Sequence, residues 1–214
     1  LGVFTSVALA SLPYAFKGVP LTNYATYGII GVAVIILLAD LVSKKINFKS
    51  LLVSAVGIIY ISMGLSLIFQ LRALMSNTFV GDIGYTIPLI LIVTIWINDT
   101  AAYLVGSLIG RRPLSSISPN KTWEGTIAGV VISVLLVTKI MGQYIPLSEK
   151  SIFLISIVAS IAGTFGDLVE SKLKRVAGVK DSGSMMPGHG GFLDRFDSIL
   201  LATPFVWLLI QLVY

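Results

Sequence analysis

An all-α fold, a polytopic integral membrane bundle of about seven transmembrane helices, is what three features of the sequence predict. Charged residues make up 12% of the chain and apolar residues 56%, whereas soluble domains carry about 25% charged residues. The mean hydropathy is +0.94. Apolar stretches close to the roughly 20 residues that a helix needs to cross a bilayer recur along the whole chain.

The candidate spans are Leu1–Phe16, Leu21–Val42, Ser50–Leu71, Gly84–Ile109, Trp123–Met141, Ser151–Val169 and Ser198–Tyr214. The first is short and begins with Leu, with no basic segment ahead of it. No signal peptide is therefore read, and native residues are expected to precede Leu1. The chain reads as a single membrane domain over 1–214. Residues 1–83 supply scaffold and lipid-groove helices; 84–214 supply the catalytic helices and the cytoplasmic signature loops. With no cysteine, disulfides and thiolate metal sites are excluded.

The early spans carry little chemistry. Asp40 can pair with Lys44 at i+4. Ser54, Gly57, Ser62, Gly64 and Ser66 are expected to permit close helix packing in the third span. The fourth is different, because it contains Asn98-Asp99. Such a pair is costly in hydrocarbon and is rarely left facing lipid, so Asp99 is expected to face the protein interior. Gly106 and Gly110 then thin the end of that helix.

Loop charge sets the orientation. The segments after spans two, four and six hold Lys44, Lys45, Lys49, Arg111, Arg112, Lys121, Lys172, Lys174, Arg175, Lys180 and Arg195, eleven of the fifteen basic residues. The positive-inside rule puts these loops in the cytoplasm. The net charge of +5 is thus spent on membrane orientation, and no nucleic-acid partner is expected.

The polar residues concentrate in two blocks. The longer runs from Gly166 to Ser198 and contains Asp167, Glu170, Lys172, Lys174, Arg175, Lys180, Asp181, the sole histidine His189, Asp194, Arg195 and Asp197. Asp167/Glu170 and Asp194/Asp197 are i,i+3 pairs, which a helix places on one face. Paired carboxylates suit a hard cation such as Mg²⁺, and the intervening glycines let backbone approach a ligand. Cations, carboxylates and open backbone together describe a site for a metal-bound polyphosphate. The shorter block is Ser118-Pro119-Asn120-Lys121-Thr122-Trp123-Glu124-Gly125. There Ser118 and Pro119 set a turn, Thr122 can cap the fifth span, and the helix start with Lys121 can receive an anion. Glu124 can favour the helix dipole, bind metal or hold Lys121.

The pattern Ser171-x-x-Lys174-Arg175, Lys180-Asp181, Pro187-Gly188-His189-Gly190-Gly191, Asp194-Arg195-x-Asp197 specifies thirteen positions across 27 residues. It closely resembles the signature of the phosphatidate cytidylyltransferases, also called CDP-diacylglycerol synthases. The Ser-Pro-x-Lys-Thr-x-Glu-Gly block resembles that family's other motif. The two signatures cover about 50 residues; the rest is similar mainly in hydropathy. The resemblance implies Mg²⁺-dependent cytidylyl transfer from CTP to phosphatidic acid, yielding CDP-diacylglycerol and pyrophosphate. It implies CTP, the lipid and the bilayer as partners, a bacterial-type inner membrane with the site at its cytoplasmic face, a second metal ion as an option, and a homodimer left open.

Roles follow by position. Asp167 and Asp194 are the first metal-ligand candidates, with Asp197 and Glu170 in reserve. Lys174, Arg175, Lys180, Asp181, His189 and Arg195 form the candidate catalytic set. Within it the cations neutralise phosphates, His189 donates to a phosphate or to leaving pyrophosphate, and Asp181 orients Lys180; Asp194 alternatively pairs with Arg195. Ser118, Lys121, Thr122, Glu124, Asp99 and Ser171 are the candidate substrate-binding residues. The competing readings are a CTP-dependent lipid-alcohol kinase, which would attack the γ-phosphorus, a membrane transporter, and a structural assembly subunit. Transporters gather polar residues near the midplane, whereas here they collect at one face.

Overall fold

The computed structural model describes residues 48–74, 84–176, 178–183, 191 and 193–213. The first two candidate spans, and His189, lie outside these residues. All regular structure among the described residues is helical: α1 (Phe48–Leu74), α2 (Thr86–Ile109), α3 (Trp123–Tyr144), α4 (Glu149–Val176) and α5 (Leu193–Val213). The chain divides into two compact units, Leu1–Phe69 and Gln70–Tyr214.

In the first unit the described part is most of α1, the third candidate span. The helix encloses the whole of that span, Ser50–Leu71. Among the described residues nothing lies within 4 Å of where a Gly57 side chain would begin.

The second unit contains four helices long and apolar enough to cross a membrane, α2 to α5. α2 packs on α3, α4 and α5, α3 on α4, and α4 on α5. Ile87, Ile90, Leu91, Ile152, Ile155, Leu200 and Val206 are buried between them, while Leu108 (82% exposed), Trp96 and Leu212 point outward. An apolar exterior of that extent would drive association in water; in a bilayer it meets hydrocarbon.

Without a strong hydrophobic drive between helices in lipid, small residues and hydrogen bonds hold them together. α2 and α3 meet backbone to backbone. A Cβ at Gly125 would lie 2.5 Å from the Ala102 carbonyl oxygen, and one at Gly129 2.7 Å from that of Asn98. Buried hydroxyls then tie α4 to its neighbours: Thr94 Oγ1 donates to Ser156 Oγ (3.4 Å), and Ser133 and Ser160 share a 2.9 Å bond. Asn98 Nδ2 donates to Thr164 Oγ1 at 3.3 Å.

Two helix ends differ from the hydropathy reading. α4 continues past Val169 to Val176, and α5 begins at Leu193, before Ser198. Hydropathy marks where the apolar slab ends, not where the helix ends. The extra turns suit their charges: Lys174 and Arg175 sit in the last turn of α4 and Asp194 in the first of α5, each favoured by the helix dipole.

Candidate active site at one end of the bundle

The C-terminal ends of α2 and α4 and the N-terminal ends of α3 and α5 carry both polar blocks. The loop between α2 and α3 folds back on itself. Lys121 N–H donates to the Ser118 carbonyl at 3.1 Å, closing the turn around Pro119, and Leu114 N–H donates to the Lys121 carbonyl at 2.6 Å. Pro113 and Thr122 pair as an isolated antiparallel bridge. Thr122 caps α3, its side chain accepting from Gly125 N–H at 3.2 Å. Glu124 Oε2 accepts the N–H groups of Arg111 (3.2 Å) and Arg112 (3.3 Å). Glu124 lies in the first turn of α3, where the helix dipole favours it, and it also holds the chain that leaves α2, a role not among those read from sequence. A concavity of about 440 Å³ lined by Arg112, Trp123, Glu124 and Ile127 opens alongside.

This turn delivers Lys121 to Asp167 of α4, with which it forms an ion pair. The two blocks, far apart in sequence, thus meet directly. Burial pulls the Lys121 ammonium below the ordinary lysine range, against the opposing pull of the Asp99 and Asp197 charges. Ser171 Oγ donates to Asp167 Oδ1 at 3.3 Å. Gly166 lets α5 approach: a Cβ there would stand 2.7 Å from the Asp197 carbonyl oxygen and 3.1 Å from Ser198 Cα. Asp167 and Asp197 consequently lie on adjoining turns of α4 and α5. Asp197 Oδ1 accepts its neighbour Ser198 N–H at 2.6 Å.

Asp99 is not packed between helices; it faces the charged cluster, where its charge acts on Lys121. It is exposed, accepting from Asn98 Nδ2 at 3.2 Å, while Asn98 is 2% exposed. Successive residues of a helix point about 100° apart, so only one of the two can face the α3–α4 seam, and it is the uncharged one. Asn98 Oδ1 finds no hydrogen-bond donor among the described residues.

A second cluster surrounds Lys174. Its ammonium lies 2.6 Å from Glu170 Oε2 and 2.7 Å from Asp194 Oδ1. The Glu170 side chain is 1% exposed, and neither of its oxygens makes a hydrogen bond of good geometry among the described residues. Its only described charge partner is thus Lys174. Asp194 Oδ2 accepts Ser182 N–H (2.9 Å), Ser182 O–H (2.9 Å) and Gly191 N–H (2.6 Å). Arg175 is exposed, with Nη1 donating to the Val179 carbonyl at 3.3 Å. Lys180, Asp181 and Arg195 are exposed as well. Gly191 was read from sequence as a place where backbone approaches a ligand, and here its N–H meets Asp194 instead; Ser182 was not singled out.

The fit to Mg²⁺ is uneven. Among the described residues no three His, Asp or Glu groups converge as a metal cage. Asp194 Oδ2 is crowded by three donors, whereas Oδ1 meets only Lys174, so a cation could approach this carboxylate only at Oδ1. Asp167 and Asp197, hard oxygen donors on adjoining turns, fit a Mg²⁺ bound through one or two carboxylates and completed by substrate phosphate.

The described helices and this cluster define an integral membrane protein with a group of charged residues at one end of its bundle. The chain belongs to the cytidylyltransferase family, whose model matches residues 1–213. It is similar to the phosphatidate cytidylyltransferase of Bacillus subtilis, 41% identical over 175 residues, covering 80% of this chain and 62% of that protein. The Staphylococcus haemolyticus phosphatidate cytidylyltransferase is 35% identical over 215 residues, 98% of this chain and 78% of the relative. The chloroplastic phosphatidate cytidylyltransferase 4 of Arabidopsis thaliana is 50% identical over 105 residues, 48% of this chain and 27% of that protein.

Proposed function

We propose that the protein transfers a cytidylyl group from CTP to phosphatidic acid, giving CDP-diacylglycerol and pyrophosphate for phospholipid synthesis. The observation that carries this reading is the Lys121–Asp167 ion pair, which joins the two signature blocks into one charged site. A phosphate oxygen of the lipid forms a bond to the α-phosphorus of CTP, and the bond from that phosphorus to the pyrophosphate oxygen breaks. The attacking phosphomonoester is already anionic near neutral pH, so no strong base is needed. The barrier lies in bringing polyanions together, and catalysis rests on positioning and charge neutralisation.

The residues divide that work. Arg175 and Lys180, both exposed, receive the CTP phosphates. Lys121, lent to Asp167 in the resting site, stands where the reacting phosphates meet. Mg²⁺ accompanying CTP would be held by Asp167 and Asp197 and would screen the transferred phosphate. Trp123 and Ile127 border the concavity beside Arg112; there the lipid headgroup meets a cation while its tails stay in hydrocarbon, saving about 0.8 kcal/mol per CH₂ that would otherwise be wetted. We place this end of the bundle at the cytoplasmic face, in a chain of about seven spans. A homodimer is compatible with this reading and not required by it.

The test supplies CTP labelled at the α- or the γ-phosphorus, with phosphatidic acid or a lipid alcohol. Label from the α-position in CDP-diacylglycerol, with release of pyrophosphate, is expected. Transfer of the γ-label to a lipid alcohol with release of CDP would replace the reading with a kinase. For orientation, cysteines at Ser116 and Ser148 should label from opposite sides of the membrane.

A further inference from the structure

We infer that Asp194 is a positioning residue: its carboxylate clamps both ends of the signature loop, together with Lys174, into one fixed geometry. This rests on the cytidylyltransferase reading for its purpose but not for its geometry. An ionised carboxylate offers about four acceptor sites, and Asp194 meets four donors, one at Oδ1 and three crowded on Oδ2. One is Lys174 Nζ from α4 (2.7 Å), two belong to Ser182 where the loop departs (2.9 Å each), and one is the Gly191 N–H where it returns (2.6 Å). A metal ion at Oδ2 would have to displace donors that hold the loop.

An independent observation points the same way. The two ends of the loop touch so closely that no side chain fits at Gly191. A Cβ there would lie 2.3 Å from Ser182 Oγ, 2.6 Å from Gly183 N and 2.8 Å from Ser182 C. At Gly183 the nearest atom to such a Cβ is Gly191 Cα at 3.6 Å, an ordinary contact. The closure is thus built by one carboxylate and one obligatory glycine. It brings Lys174, the Lys180–Ser182 segment and the start of α5 to one point, so the loop cations meet the triphosphate at fixed spacing.

Two readouts separate positioning from metal ligation, using the full chain in detergent with Asp194→Asn, Gly191→Ala and Gly183→Ala. The first is hydrogen exchange of the Ser182 and Gly191 amides without substrate or metal. Asp194→Asn and Gly191→Ala should each raise it about ten-fold or more, since a lost hydrogen bond to a charged acceptor removes local protection. Gly183→Ala should leave it near wild type. The second is kinetic. kcat/KM for CTP should fall about 100-fold in both damaging variants, as for a small misplacement of binding groups, while the Mg²⁺ concentration giving half-maximal rate stays within about two-fold. Asp194→Asn and Gly191→Ala are expected to behave alike although only one removes an oxygen ligand. Unchanged amide exchange in Asp194→Asn would overturn the clamp. So would a ten-fold rise in the Mg²⁺ requirement with the loop amides still protected. If wild-type protein failed to make CDP-diacylglycerol, the functional reading would fall, and the exchange measurement would still decide the clamp.

Discussion

The two loops that build this site are closed by the same device used at different strengths. In each, an acidic residue in the first turn of the following helix reaches back and accepts backbone N–H groups. Glu124 at the start of α3 takes those of Arg111 and Arg112 at 3.2 and 3.3 Å. Asp194 at the start of α5 takes those of Ser182 and Gly191 at 2.9 and 2.6 Å, and adds a lysine. The first loop has other support: the Pro113–Thr122 bridge, the turn at Ser118–Lys121 and the Thr122 cap hold it independently. The second has no comparable ladder among the described residues.

That contrast can be broken or sharpened by substitution. The largest effect is expected at Asp167, which serves both loops as the partner of Lys121 and as a candidate cation ligand. Asp167→Asn should lower turnover by about three or more decades, several kcal/mol of barrier, in protein that still extracts as a folded chain. Retention of a tenth of wild-type activity across a Mg²⁺ titration would remove Asp167 from the mechanism. Lys121→Ala comes next, at about two decades, because it deletes a cation from a poorly hydrated cleft. CDP-diacylglycerol formation at saturating CTP and lipid measures it; a loss below two-fold would mean that the first loop only starts a helix.

Glu124→Gln should be milder, a loss of less than about ten-fold, since a neutral amide oxygen still accepts both N–H groups and the loop has its bridge and cap; each such bond is worth about 1 kcal/mol. A loss as large as that of Asp194→Asn would show the two closures to be equivalent after all. The smallest effect is expected at the other end of the bundle. Lys139 and Glu149 sit 3.5 Å apart with side chains 72% and 64% exposed, a surface pair of the kind worth at most about 1 kcal/mol. Lys139→Ala should leave activity unchanged and shift the thermal midpoint by a few degrees at most.

Much of this arrangement was legible in the sequence, for identifiable reasons. α2 and α3 were placed within a few residues because Gly110 and the Thr122 cap punctuate the chain where hydropathy changes. The α4 and α5 ends were misplaced because helices there continue beyond the apolar slab. Lys121 and Asp167 were both named as site residues, and the ion pair between them follows from which helix ends meet. The exposure of Asp99 was not foreseen, since polarity in a span does not say which of two adjacent residues faces the seam. Nor was the donor set of Asp194, since two of its members are the backbone N–H groups of Ser182 and Gly191, which nearly every residue carries.

The Gly125 and Gly129 contacts bear on how the site is assembled. They press α3 against α2 through neighbouring stretches of one chain, so this hairpin needs no later helix to find its register. In a chain inserted from its N-terminal side, α2 and α3 can settle against each other before α4 and α5 are made. Lys121 would then stand at its working depth first, an early landmark against which the later carboxylates are aligned. Asp167 would thus inherit its place from the hairpin, and a bulkier residue at Gly125 would displace the site without touching any charged group.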